Sequence, residues 1–164
     1  MSHLENLLVE YYNWRGCFVR HNQKVGLRER GGWEMELDVI AYDAKESKIT
    51  HLEPSLDAFV WAKREARFAK KFEAGRKYIL SHVFPGIPSD VKIEQIAILT
   101  SAGVNRRVLA GAKVETVDEV VARIREDVRA KGRVGRSAIS EQYPLLRTIQ
   151  YIVSGYAGIV DKPR

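Results

Sequence analysis

The 164-residue sequence has one cysteine, Cys17, only five prolines, and no apolar run longer than a few residues. A single cysteine excludes an internal disulfide framework and a thiolate zinc cage, so Cys17 reads as a buried structural thiol. A bilayer-spanning helix needs ~20 consecutive apolar residues, which nothing here approaches. The four histidines, His3, His21, His51 and His82, lack the spacing of a zinc-binding helix and read as surface or core side chains. Only His51 stands out, because it shares a strand face with Glu53. The dispersed Gly103 and Gly111 make no phosphate loop, and no dinucleotide fingerprint occurs. Residues 1–14 carry Glu5 and Glu10 where a secretory leader would be basic and then apolar. These absences predict a soluble chain in a reducing, cytoplasmic setting, with no membrane association. No linker or repeat divides the sequence, so residues 1–164 are expected to form one domain, with a core over 1–101 and a C-terminal extension over 102–164.

Positive charge, by contrast, is present in excess: 27 Lys and Arg oppose 21 Asp and Glu, a net +6. It is concentrated in two places. Residues 61–77 hold Lys63, Arg64, Arg67, Lys70, Lys71, Arg76 and Lys77 against Glu65 and Glu73, a local +5. Residues 121–136 carry a local +4, which leaves the remaining chain at −3. Focused basicity is the electrostatic footprint of a nucleic-acid surface, although solvated helix faces share it.

Leu4, Leu7, Leu8, Tyr11 and Trp14 recur at helical steps, predicting a helix over 3–15 that Gly16 ends. A short strand over 17–21 and a loop through Gly26, Gly31 and Gly32 follow. Strands over 33–43 and 49–55, joined by a polar turn at 43–48, make a hairpin. A basic helix over 56–80, with Ser55 or Asp57 as N-cap, leads to strands over 93–100 and 108–114, a helix over 117–131 and a last helix from Pro144. Trp14, Trp33 and Trp61 are expected in the core, with Trp33, beside two glycines, also within reach of a ligand. This order predicts an α/β sheet with helices on two faces.

Such a sheet buries both faces of its central strands, yet Glu34, Glu36 and Asp38 alternate along one face of the strand over 33–43. Either that face lies exposed at the sheet's edge or a cation compensates it. Mg²⁺ and Mn²⁺ suit a few carboxylates plus water. The next strand supplies Glu53, with His51 and Ser55 on its face, and closure of the hairpin brings Asp38 and Glu53 to comparable heights.

The run Trp33-Glu34-Met35-Glu36-Leu37-Asp38-Val39-Ile40-Ala41, a turn, and Ile49-Thr50-His51-Leu52-Glu53 resembles the core of the PD-(D/E)XK phosphodiesterases, the restriction-endonuclease-like superfamily. The resemblance implies a mixed sheet with an αβββαβ core over 1–101, flanked by helices, and a C-terminal α/β extension. It makes Asp38 and Glu53 the ligands of Mg²⁺ or Mn²⁺, with Glu36 accessory and Glu10 an additional acid. Where the superfamily carries lysine two residues after the glutamate, this chain has Ser55. In several branches that lysine has moved to the following helix, which makes Lys63 the expected catalytic cation. Arg64, Arg67, Lys70 and Lys71 are the expected nucleic-acid contacts. Residues 61–72, the His-Leu-Glu-Pro-Ser strand end and Glu141 to Arg147 also resemble a group of microbial proteins that share this core and have no established activity.

Three functions follow as expectations. The first is a metal-dependent nuclease acting on nucleic acid, DNA in particular, with a homodimer open as its assembly. The second is a catalytically silent nucleic-acid-binding module on the same fold, favoured by Ser55. The third is a protein-interaction domain using the apolar final helix around Leu145, Leu146, Ile149 and Ile152.

Overall fold

Ser2 begins the first helix. Its hydroxyl accepts the Glu5 N–H while the Glu5 carboxylate accepts the Ser2 N–H, so two of the donors a helix leaves unpaired are satisfied reciprocally. Helix α1 then runs over His3–Trp14 and buries Leu4, Leu7, Leu8 and Tyr11, packing on the first two strands. The computed structural model describes residues 2–156, so Met1 and the final stretch of the expected domain lie outside the described residues. Its architecture is mixed α/β, with two compact units over 1–117 and 118–164. No helix among the described residues is long and apolar enough to cross a membrane.

The first unit is built on a six-stranded sheet. Strands β1 (Phe18–Leu27), β2 (Trp33–Asp43) and β3 (Lys48–Ser55) form an antiparallel meander. The turn between β2 and β3 is fixed by the Asp43 carboxylate, which accepts the Lys45 and Glu46 N–H groups. Helix α2 (Trp61–Tyr78) and a π-helical turn (Ile79–Val83) cross over to β4 (Lys92–Leu99), which pairs parallel to β3. Strands β5 (Val108–Leu109) and β6 (Ala112–Thr116) complete the spatial order β1-β2-β3-β4-β6-β5. The segment 108–116, read from sequence as part of the extension, thus extends the same sheet.

Strand β1 is longer than its sequence suggests, because Gly26 lies inside it and not in a loop. At φ +68° Gly26 takes a conformation that costs other residues energy, and a Cβ there would lie 2.6 Å from the Glu34 Cβ. The missing side chain is where Glu34 crosses to Tyr78 Oη, 2.5 Å away. Helix α2 lies across the sheet and divides its core contacts in two. Phe68 and Phe72 pack with Ala97, Leu99, Leu109 and Val114, whereas Ala74 and Tyr78 pack with Val25, Ile40 and Ile49. Burial of each of the Phe, Leu, Ile and Val side chains contributes about 1.5–3 kcal/mol.

Two expectations change here. Trp33 is 45% exposed and so is not a core residue. Cys17 is only half-buried, and its burial, with the charge of Asp43, pushes the thiol pKa up.

The second unit holds α3 (Val117–Lys131, beginning at the junction), α4 (Val134–Ser137) and α5 (Pro144–Val153). Val120, Ile124 and Val128 of α3 are buried, and the fully buried Gln150 amide accepts the Ile139 N–H and donates to the carbonyls of Gly132 and Ser137. Leu146 of α5 is buried and Ile152 is 40% exposed.

Candidate active site

The site lies where two strands part. β3 pairs with β2 only from Asp43↔Lys48 to Val39↔Leu52, but continues beside β4 as far as Ser55↔Leu99. β2 in turn continues beside β1 to Leu27↔Trp33. The next rung of the β2–β3 ladder would join Asp38 to Glu53. Instead, the Asp38 N–H donates to Glu53 Oε1 at 3.2 Å, a side chain replacing a ladder bond. Side-chain alternation puts Asp38 on the face of Ile40, and the Ile40↔His51 pairing puts His51 and Glu53 on that face too.

Helix α2 supplies the cation. Lys71 Nζ lies 2.7 Å from Asp38 Oδ2 and also pairs with Glu53 Oε2. The Asp38 and Lys71 side chains are each 14% exposed, and that of Glu53 is fully buried. Burial, then the charge of Glu53, pushes the Asp38 carboxyl up to about 8, against the opposing pull of Lys71. Burial acts in the same sense on Glu53, but the hydrogen bond from His51 and the positive charge beside it outweigh burial and hold its carboxyl below the usual carboxylate range. Burial opposes the charge of Lys71 as well; the two carboxylates overcome it and raise its pKa. The two carboxyls are thus unequal, Glu53 the more acidic of the pair and Asp38 the one that holds its proton more tightly.

Behind Glu53 lies a second row of contacts. His51 Nε2 is 2.8 Å from Glu53 Oε1, and His51 Nδ1 is 3.2 Å from Gln95 Nε2. Gln95 is the register partner of His51 on β4. The same amide nitrogen donates to the Phe72 carbonyl at 2.8 Å, and Gln95 Oε1 accepts from Arg76 Nη1 at 2.8 Å. Helix α2 admits the imidazole through Gly75, where a Cβ would lie 2.5 Å from His51 Nδ1 and 2.6 Å from Cε1. A mid-helix glycine costs about 0.5–1 kcal/mol relative to alanine. Even so, Gly75→Ala is expected to lower stability by about 1–3 kcal/mol, because overpacking against a buried ring exceeds the propensity gain. Urea unfolding measures this, and a stabilised Gly75→Ala variant would show that the ring is free to move.

The other candidates lie elsewhere. Lys63 does not reach the carboxylates, because its ammonium lies over the Phe59 ring, 3.5 Å from the centroid. Lys71 occupies the place expected of Lys63. Arg64, expected to contact nucleic acid, is buried and bound to Asp57, with its Nε 3.2 Å from Oδ1 and its Nη2 donating to the Asp57 carbonyl. Arg67, half-exposed, donates to Asp57 Oδ2 at 2.7 Å. The Ser55 hydroxyl also donates to Asp57, so Ser55 serves the loop before α2. Asp57, expected as an N-cap, instead organises this loop, and α2 starts at Trp61 without a side-chain cap. Glu36 is exposed and opposite Lys24 in the ladder, and Glu10 is half-buried on α1. Lys70 is exposed, and with Lys63, Arg67, Lys71, Ala66 and Met35 it lines a groove of about 330 Å³.

Asp38 and Glu53 form a hard, all-oxygen donor pair directed at one cationic point, which fits Mg²⁺ or Mn²⁺. Among the described residues no group of three or more His, Cys, Asp and Glu side chains is placed to hold a metal ion, so water and substrate would complete the shell. Compared with protein-family models, with curated proteins and with solved structures, the chain shows no match in any of the three.

Proposed function

We propose that the chain is a metal-dependent nuclease with a restriction-endonuclease-like core, acting on nucleic acid, DNA in particular, in the cytoplasm. The observation that carries this reading is the convergence of Asp38, Glu53 and the Lys71 ammonium where β2 and β3 diverge. The element order supports it as well: a helix and three antiparallel strands are followed by a crossover helix and a strand parallel to the third. Asp38 and Glu53 would hold Mg²⁺ or Mn²⁺, which supplies Lewis-acid polarisation and an acidified water when bound. Hydrolysis joins a water oxygen to phosphorus and breaks one phosphorus–oxygen ester bond, and the leaving oxygen takes up a proton. Lys71 places a fixed positive charge beside the carboxylates, where negative charge grows on the phosphoryl oxygens in the transition state. The groove along α2 offers Lys63, Arg67 and Lys70 to neighbouring phosphates, contacts that position the backbone without reading sequence.

Cleavage of single-stranded, duplex and branched DNA and of RNA, with Mg²⁺ or Mn²⁺, tests the proposal. Activity is expected to fall at least ~10²-fold in Asp38→Ala and in Glu53→Ala. Activity that survives both substitutions overturns it. Ser55 in the usual lysine position, together with a Lys71 that already neutralises the carboxylates, favours a second reading, a silent nucleic-acid binder. A complex that weakens steeply with salt but is never cut would establish that alternative.

A further inference from the structure

The amide of Gln95 can be oriented without ambiguity. Its Oε1 faces Arg76 Nη1, and a guanidinium only donates, so that atom is an acceptor. Its Nε2 faces the Phe72 carbonyl, which only accepts. Two independent partners thus give the same assignment, and the second N–H of Nε2 points at His51 Nδ1. Nδ1 is therefore an acceptor, and a neutral imidazole that accepts at Nδ1 carries its proton on Nε2. That N–H is directed at Glu53 Oε1, 2.8 Å away. Oε1 also receives the Asp38 N–H, so both of its lone-pair directions are used. Oε2 remains, on the side of Lys71 and Asp38.

We propose that His51 is a positioning residue. Held as the Nε2–H tautomer by Gln95, it saturates Oε1 of Glu53 and so presents Oε2, and only Oε2, to the cation position shared with Asp38. This rests on the reading above for the identity of the cation. It adds a chain of orientation that runs from Arg76 and the Phe72 carbonyl through Gln95 and His51 to one oxygen of Glu53. Gly75 has the place in that chain of making room for the ring. Partners that orient a metal-ligating group typically change metal affinity 10–100-fold when removed.

Two measurements on the full chain test the proposal. ¹⁵N-imidazole NMR is expected to show His51 with a protonated Nε2 and an unprotonated, pyridine-like Nδ1. Mn²⁺ binding, followed by the loss of the free-ion EPR signal, is expected to weaken about 10–100-fold in His51→Phe. His51→Gln, which restores an N–H donor near the Nε2 position, should recover most of that loss. Circular dichroism verifies that each variant is folded. Should His51→Phe fail to fold, Gln95→Leu removes the tautomer lock with both carboxylates in place, and it should lose the Nε2–H preference and weaken Mn²⁺ binding several-fold. A ring protonated on Nδ1, a folded His51→Phe with wild-type Mn²⁺ affinity, or a wild-type chain that binds no Mn²⁺ overturns the proposal. Absence of cleavage with both expected results intact overturns the nuclease reading alone.

Discussion

Replacing Lys71 with alanine is expected to move two properties in opposite directions, lowering cleavage about 10²–10³-fold while tightening Mn²⁺ binding roughly tenfold. The ammonium lies 2.7 Å from Asp38 Oδ2 and also pairs with Glu53 Oε2, so it competes with any other cation for the same oxygens. Without it the two carboxylates attract a dication more strongly, and the fixed positive charge available to the transition state is lost. Binding is best compared over a range of pH, because the loss of Lys71 also removes the charge that draws the Asp38 carboxyl down and lets a proton compete more strongly there. Lys63→Ala is the control, because its ammonium rests on Phe59 and its loss should change cleavage only a few-fold through the groove. Equal losses in the two variants would remove Lys71 from its assigned place. Weaker Mn²⁺ binding in Lys71→Ala would show that the ammonium organises the carboxylates instead of competing for them.

The second large effect is a dependence on pH that originates at Asp38. Its carboxyl is raised from an ordinary value of 3.8 to about 8 because burial and the charge of Glu53 disfavour ionisation. A protonated carboxyl is a poor ligand, so a proton competes with the cation at every pH below 8. Apparent Mn²⁺ affinity is expected to rise about tenfold per pH unit up to pH 8 and then level off, with release of a proton on binding. The sign for stability of the metal-free chain is opposite. The folded state binds this proton more tightly than the unfolded chain, so stability falls as pH rises from about 4 to about 8, and is constant above. Asp38→Asn should abolish both trends and leave a more heat-resistant protein at neutral pH. Calorimetric titration of Mn²⁺ across pH 6 to 9, paired with thermal melts of the metal-free chain, measures the two slopes. A flat affinity profile, or stability that increases with pH through this window, would contradict the assignment to Asp38.

The parts of the site that the sequence made legible were those set by local periodicity. Alternation along 33–43 and the polar turn at 43–48 together place Asp38 and Glu53 at the same height, since a hairpin closed by Asp43↔Lys48 has a determined register. Helices α1 and α3 were legible from their three- and four-residue steps and their end signals. The start of α2 was not, because residues 56–60 continue an apolar and polar mixture that looks helical while Asp57 holds them in a loop. That misreading favoured the lysine nearest the apparent helix start. Lys71 lies eight residues beyond Lys63, about 12 Å further along the axis, and only the packing of α2 on the sheet decides which of them meets the carboxylates. The buried role of Arg64 depends on Asp57, which lies outside the helix and so outside its periodicity. Gln95 was hidden for a different reason. Its place beside His51 comes from a parallel pairing across the α2 crossover, and sequence proximity carries no trace of it. Gly75 was the one readable hint, a residue that weakens a helix and remains in the middle of one.

The early end of the β2–β3 ladder has a consequence for folding. Below Asp38 and Glu53, the facing edges of β2 and β3 carry backbone N–H and C=O groups that lack a strand partner across the gap. Groups of this kind cannot be left bare, and at the parting itself a side chain is the partner: Glu53 Oε1, fully buried, accepts the Asp38 N–H. The carboxylate that faces Lys71 with one oxygen therefore closes the sheet with the other. Removing Glu53 takes away a backbone partner at the end of a ladder as well as a buried charge, so its loss is expected to be felt in folding too.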